Sequence, residues 1–177
     1  MISREKQLNF LQDETPLVNP QECDTQNIQI LKIYIDGAAR KNPGPAGSGI
    51  CLKKGEETVF EQGFFLGDRT NNQAEYFALL LAVFFVEQYV KKGDLVLIYS
   101  DSQLLVRQML GMYVVRDSIL KKMKQIAQEM LVGYNVKFCH VYRDQNQQAD
   151  LLANRGIDKK IPLPKKFLDI MQLHGIS

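Results

Sequence analysis

The chain has 177 residues, 45% of them apolar and 24% charged, with a net charge of +2 and a pI near 8.4. This length fits one domain with terminal extensions and suffices to bury a full core. So mild a basic excess permits a nucleic-acid partner without demanding one, and it is uneven: residues 1–29 sum to −3, 30–155 to +3 and 156–177 to +2. The longest apolar run, Tyr76 to Val86, falls short of the about 20 residues that span a bilayer. The start, Met-Ile-Ser-Arg-Glu-Lys, lacks the apolar stretch of a signal peptide. Cys23, Cys51 and Cys139 follow no metal-ligand spacing and suggest a reducing compartment without a disulfide framework. The expectation is a cytoplasmic protein with no membrane segment and no obligate protein partner in evidence.

Residues 1–29 are rich in Gln, Asp, Glu and Asn, contain Pro16 and Pro20, and keep no sustained period. They read as a polar extension, with one short helix expected around Leu8 to Leu11. Leu31, Ile33 and Ile35 then alternate with Lys32, Tyr34 and Asp36, which predicts a strand over 30–37. It delivers Asp36 beside Gly37, where the missing side chain lets a ligand approach the backbone. Asn42-Pro43-Gly44-Pro45 turns the chain, and strands at 47–54 and 57–66 follow, joined by Lys54-Gly55-Glu56. These three strands are expected to be antiparallel.

Asp68 to Asn72 offers several N-cap candidates for a helix running to about Tyr89. Its apolar residues go all the way round, so it is buried on most sides. Leu95 to Ser100 is a short continuous apolar run, as expected of a strand central to a sheet. Asp101-Ser102 starts a brief helix to Leu110, stopped by Gly111. Ile119, Leu120, Met123, Ile126, Ala127, Met130 and Leu131 recur at helical spacing, with Lys121, Lys122 and Lys124 opposite them. Val136 to Val141 reads as a last strand, Asn146 to Asn154 as a last helix containing Asp150, and Phe167 to Leu173 as a short amphipathic tail.

Four acids thus occupy comparable places. Asp36 and Asp101 stand at strand ends, Glu75 in the first turn of the buried helix, and Asp150 in the last helix. Each alone is explained by helix capping or the helix dipole. Together they would carry too much like charge to converge without cations, and their hard oxygen donors suit Mg²⁺ or Mn²⁺. Two such ions about 4 Å apart would activate a water and stabilise a leaving oxygen in phosphodiester hydrolysis.

The surrounding segments sharpen the reading. Asp36-Gly37 with Asn42-Pro43-Gly44-Pro45, Thr70-Asn71-Asn72-Gln73-Ala74-Glu75, Tyr99-Ser100-Asp101-Ser102-Gln103-Leu104 and Asn146 to Ala153 resemble, in order and near spacing, the four motifs of ribonuclease H, type 1. The likeness covers roughly residues 30–157 and leaves 1–29 and 158–177 as extensions. It implies an α/β fold, a five-stranded mixed sheet with helices on both faces. It also implies hydrolysis of the RNA strand of an RNA/DNA hybrid to 5′-phosphate and 3′-hydroxyl ends. By the same likeness Asp36, Glu75, Asp101 and Asp150 hold two Mg²⁺ ions, with Asp36 bridging. The Gly37 backbone and the Glu75 carboxylate face ribose 2′-hydroxyls. Asn42, Asn71 and Asn72 read the minor groove, and Thr70 touches a DNA-strand phosphate; helix capping is the alternative role for Asn71 and Asn72, and the two can coexist.

Two departures stand out. Only Met112 to Asp117 separates two predicted helices, so the basic protrusion of many members is absent, and Lys121, Lys122 and Lys124 are either a weak phosphate patch or a solvated face. The catalytic-loop histidine is also missing: Arg143 occupies the loop, and His140 is expected to pack inside its strand. Arg143 either positions a phosphate or pairs with a neighbouring acid. The likeness is to the compact archaeal and plant-type branch. The rival readings are another nuclease of this fold, such as a resolvase or transposase core, and a non-catalytic module that binds hybrid or double-stranded RNA.

Overall fold

The alternating apolar pattern builds three long strands, β1 (Ile30–Ala39), β2 (Gly44–Lys54) and β3 (Glu57–Arg69), in antiparallel order. The structure is a computed structural model and describes residues 28–91 and 93–176. The helix expected at Leu8 to Leu11 lies outside them, as does Cys23. The two hairpin strands extend beyond the expected ends, since Gly44 pairs with Arg69 and Gly67 takes up the irregularity at a φ of 71°. The short apolar strands β4 (Leu95–Ser100) and β5 (Asn135–His140) add in parallel, giving the order β3-β2-β1-β4-β5.

Helix α1 (Asn71–Val86) is apolar on every side because it is covered on every side. It packs on β1 and β2, against α3 (Ser118–Met130), and against α5 (Lys165–Leu173). Phe167 of α5 is fully buried, its ring meeting those of Phe77 and Phe84. Helix α1 ends at Val86 and gives way to turns through Tyr89, earlier than expected. The brief helix α2 (Gln103–Met109) is capped by Ser102 and ends before Gly111. On α3 the expected apolar stripe is buried at Leu120, Met123, Ile126 and Ala127. Lys124 is not simply solvated, since its Nζ donates to the Gln108 carbonyl at 2.6 Å.

Helix α4 (Gln147–Lys159) lies on the opposite face, over β1, β2 and β3. It sits backbone against backbone: a Cβ at Gly49 would fall 2.0 Å from the Ala149 carbonyl oxygen, and one at Gly63 would fall 1.8 Å from that of Leu152. Glycine is therefore required by the helix approach, not by the strands' own conformation. The helix runs five residues past Asn154 because Gly156 and Ile157 continue its buried side, and it stops where Lys160 turns left-handed.

Candidate active site

The parallel register sets the first two acids side by side. Ile35 pairs with Ser100, so Asp36 and Asp101 leave the ends of neighbouring strands together. Glu75 enters from the first turns of α1, whose start is fixed by the Thr70 cap: Thr70 Oγ1 accepts from Gln73 N at 3.2 Å, and Gln73 Oε1 accepts from Thr70 N at 2.9 Å. The turn contributes as well, since Asn42 Oδ1 accepts from Asn71 N at 3.0 Å. Ser48 Oγ donates to the Ala74 carbonyl at 3.0 Å and ties β2 to the same helix start.

Gly37 also serves a close approach within the fold. A Cβ there would lie 2.1 Å from Glu75 N and 2.2 Å from the Ala74 carbonyl carbon. The close approach is that of α1, and it is what brings the Glu75 carboxylate onto Asp36.

Asp36, Glu75 and Asp101 offer oxygens within 4.8 Å of one another. Asp36 and Glu75 are buried, and Glu75 Oε2 has no hydrogen-bond partner. Burial, then the charges of Asp101 and Asp150, push the Asp36 carboxyl up to about 8. Glu75 is raised well above the ordinary range by burial first and by Asp36 and Asp101 next. An amide hydrogen bond from Gly37 opposes both shifts. A buried carboxylate group with an orphaned oxygen is short of positive charge, which protons or cations can supply. The all-oxygen donor set fits a hard divalent cation.

Asp150 borders the same cavity of about 420 Å³, together with Gly37, Asn71 and Arg143. It stands apart from the triad. Its Oδ1 accepts from Arg143 Nη2 at 3.2 Å, and its Oδ2 accepts from Asn154 Nδ2 at 3.3 Å. Arg143 lies in a single 3-10 turn, Arg143–Gln145, and faces the acids rather than Asp144. Asn42, Thr70 and Asn72 do not line the cavity; the first two shape the start of α1, and Asn72 is exposed. His140 departs from expectation: it is exposed at the last position of β5, edge-on to the Tyr142 ring at 6.0 Å, because no further strand residue covers it.

One important side chain escaped the sequence reading. Asn146 is buried, and its Nδ2 donates both to the Ile35 carbonyl at 2.9 Å and to Asp101 Oδ1 at 3.0 Å. It joins the start of α4 to both strand ends. The one available signal was a polar residue at a helix start, four positions before Asp150.

The RNase H family model matches residues 29–158. The chain belongs to the RNase H family. It is 41% identical over 128 residues to ribonuclease HI of Halobacterium salinarum, covering 71% of this chain and 63% of that protein. It is 34% identical over 134 residues to the bifunctional protein Rv2228c of Mycobacterium tuberculosis, covering 72% of this chain and 36% of the relative. It therefore spans less than two thirds of either. The crystal structure of LC11-RNase H1 in complex with RNA/DNA hybrid superposes with a TM-score of 0.67 at 38% identity, over 73% of this chain and 97% of that one.

Proposed function

We propose that this RNase H chain is a metal-dependent endonuclease that hydrolyses the RNA strand of RNA/DNA hybrids, leaving 5′-phosphate and 3′-hydroxyl ends. The observation that carries the reading is the buried triad of Asp36, Glu75 and Asp101, with its oxygens within 4.8 Å and Glu75 Oε2 unpartnered. These three and Asp150 would hold two Mg²⁺ ions, or Mn²⁺ in their place, with Asp36 shared between them. Divalent cations bound there supply an activated water and stabilise the departing oxygen. The chain's own residues position the rest. Asn146 holds Asp101 and the end of β1 in place through its two hydrogen bonds. Arg143, released from Asp150, draws the scissile phosphate through its fork of donors. Gly37 and Glu75 face ribose 2′-hydroxyls, Asn42, Asn71 and Asn72 lie toward the minor groove, and Thr70 meets a phosphate of the DNA strand.

The catalytic unit we assign is residues 30–157, and α5 packs on it through Phe167. No helix among the described residues is long and apolar enough to cross a membrane, and we place the protein in the cytoplasm on its three scattered cysteines. A purely binding module would have no use for all four acids. The test is incubation of a labelled hybrid with Mg²⁺ or Mn²⁺, with and without chelator, and analysis of product ends. Asp36→Asn should bind the hybrid in Ca²⁺ yet cleave at under a few per cent of the wild-type rate. Cleavage at full rate in chelator, or by that variant, refutes the assignment.

A further inference from the structure

Helix α4 covers one face of the sheet over β1, β2 and β3, whereas α2, which meets β4 and β5, is tied through Gln108 to Tyr76 of α1 and Lys124 of α3 on the opposite face. Strand alternation places Lys32 and Tyr34, Leu97 and Tyr99, and Lys137 and Cys139 on the α4 side of the sheet, the β4 and β5 pairs forming its open half beside Tyr34. The Tyr34 and Tyr99 rings stack at 4.9 Å with 16° between their planes. Lys53 Nζ lies over the Tyr34 ring, 5.7 Å from its centre. The ladder is thus closed at one end by a cation. At the other end the neighbour of Tyr99 on the edge strand is the small Cys139. Lys137 is exposed on that edge strand, and Tyr142, 75% exposed, follows it at the rim leading to Arg143. Each tyrosine stands two residues before an active-site acid, Asp36 or Asp101, on the same face of its strand.

We propose that this open half of the sheet holds an unpaired, single-stranded flank of the hybrid substrate as it leaves the catalytic cavity. The inference rests on the reading of the cavity as a hybrid nuclease. The chemistry fits unpaired bases. An aromatic face takes any base by stacking, and cations along the rim take the phosphates. A duplex keeps its bases inside and would use only the lysines. The lysines are available to a polyanion: Lys137 has no ion-pair partner among the described residues, and Lys32 meets only the exposed Glu56, at 3.9 Å.

The test compares a blunt hybrid with the same hybrid carrying a ten-nucleotide uridine tail on its RNA strand, using the full chain. Binding is measured in Ca²⁺ by anisotropy and cleavage in Mg²⁺. The tail should tighten binding about fivefold or more, the low end of what one stacked base provides. It should also steepen the salt dependence, by a slope of about 2 in log–log terms for three phosphates. Lys137→Glu and Tyr99→Leu should each abolish this gain, with Lys137→Glu leaving blunt-hybrid cleavage unchanged. A wild-type chain that gains nothing from the tail, or a Lys137→Glu chain that keeps the gain, overturns the proposal. Should the blunt hybrid be neither bound nor cut, the reading of the cavity fails; a labelled uridine decamer, bound by the wild type and lost in Lys137→Glu, still decides for or against the sheet face.

Discussion

Removing divalent cations should make this protein's stability fall as pH rises through neutrality, the reverse of ordinary acid denaturation. The source is Asp36, whose carboxyl sits at about 8 against an ordinary 3.8, through burial first and then the charges of Asp101 and Asp150. A folded-state value above the unfolded one means that the metal-free native protein keeps a proton which the unfolded chain releases. That stabilisation is complete below the unfolded value and is lost as pH climbs toward the folded one. At ~1.4 kcal/mol per pH unit for one proton, moving from pH 5 to pH 7 removes about 3 kcal/mol. Glu75, raised by burial and by Asp36 and Asp101, works in the same direction. Asp94 runs the other way, lowered by the amide of Lys91 foremost and also by that of Gln29, but its contribution is lost only as pH falls below the ordinary carboxylate range. For a chain of this size about 3 kcal/mol corresponds to a Tm lower by roughly 6–12 °C. The measurement is thermal unfolding in chelator at both pH values, repeated with excess Mg²⁺, which should restore the loss at pH 7 by taking the protons' place. Equal or greater stability at pH 7 in chelator would show that the triad is not the strained, charge-deficient cluster described above.

The same cluster predicts that Asp36→Asn raises Tm in chelator at pH 7 and flattens the pH slope, even as it abolishes cleavage. Gly37→Ala should cost about 3 kcal/mol or more, since its Cβ would fall 2.1 Å from Glu75 N; urea unfolding, or failure to recover soluble protein, reads this directly. Asn146→Ala breaks bonds to the Ile35 carbonyl and Asp101 and should cost about 2–4 kcal/mol, with single-turnover cleavage slowed at matched folded fraction. Arg143→Ala should lower turnover about tenfold and Arg143→Lys should recover part of it, whereas His140→Ala, exposed as it is, should leave Tm within about 1 °C. A rate defect confined to the His140 variant would reverse those two roles.

What the sequence made legible was whatever depends on a residue's own chemistry and its near neighbours. Alternation in Leu31 to Asp36 declared the first strand, the continuous run Leu95 to Ser100 declared a central one, and acids at their ends were conspicuous against apolar surroundings. The all-round apolar character of Tyr76 to Val86 announced burial on every side, and the structure supplies the missing cover, including Phe167 from the chain's far end. Long-range shape was not legible. Gly37 announces a close approach but cannot say of what, and within the fold it is that of the Ala74–Glu75 backbone. Asn146 joins two strand ends more than 40 positions away, a link that no local pattern encodes. His140 obeys alternation, yet it is the last residue of its strand, where alternation no longer implies cover.

Asp150 shows the limit most clearly. Its spacing within the last helix was enough to aim it at the cavity, but where its carboxylate rests depends on partners outside that spacing. It pairs with Arg143 at 3.2 Å and with Asn154 at 3.3 Å, while the oxygens of the other three acids lie within 4.8 Å of one another and Asp36 is driven up to about 8. The pair is largely solvent-facing on the arginine side, where the side chain is 81% exposed, so the contact is weak enough to exchange. Cations entering the cavity and a phosphate arriving beside them would compete for its two halves, the carboxylate going to the metal and the guanidinium to the phosphate. On the proposed mechanism Arg143 and Asp150 would hold each other until those charges arrive, so replacing Arg143 should be felt in turnover far more than in stability.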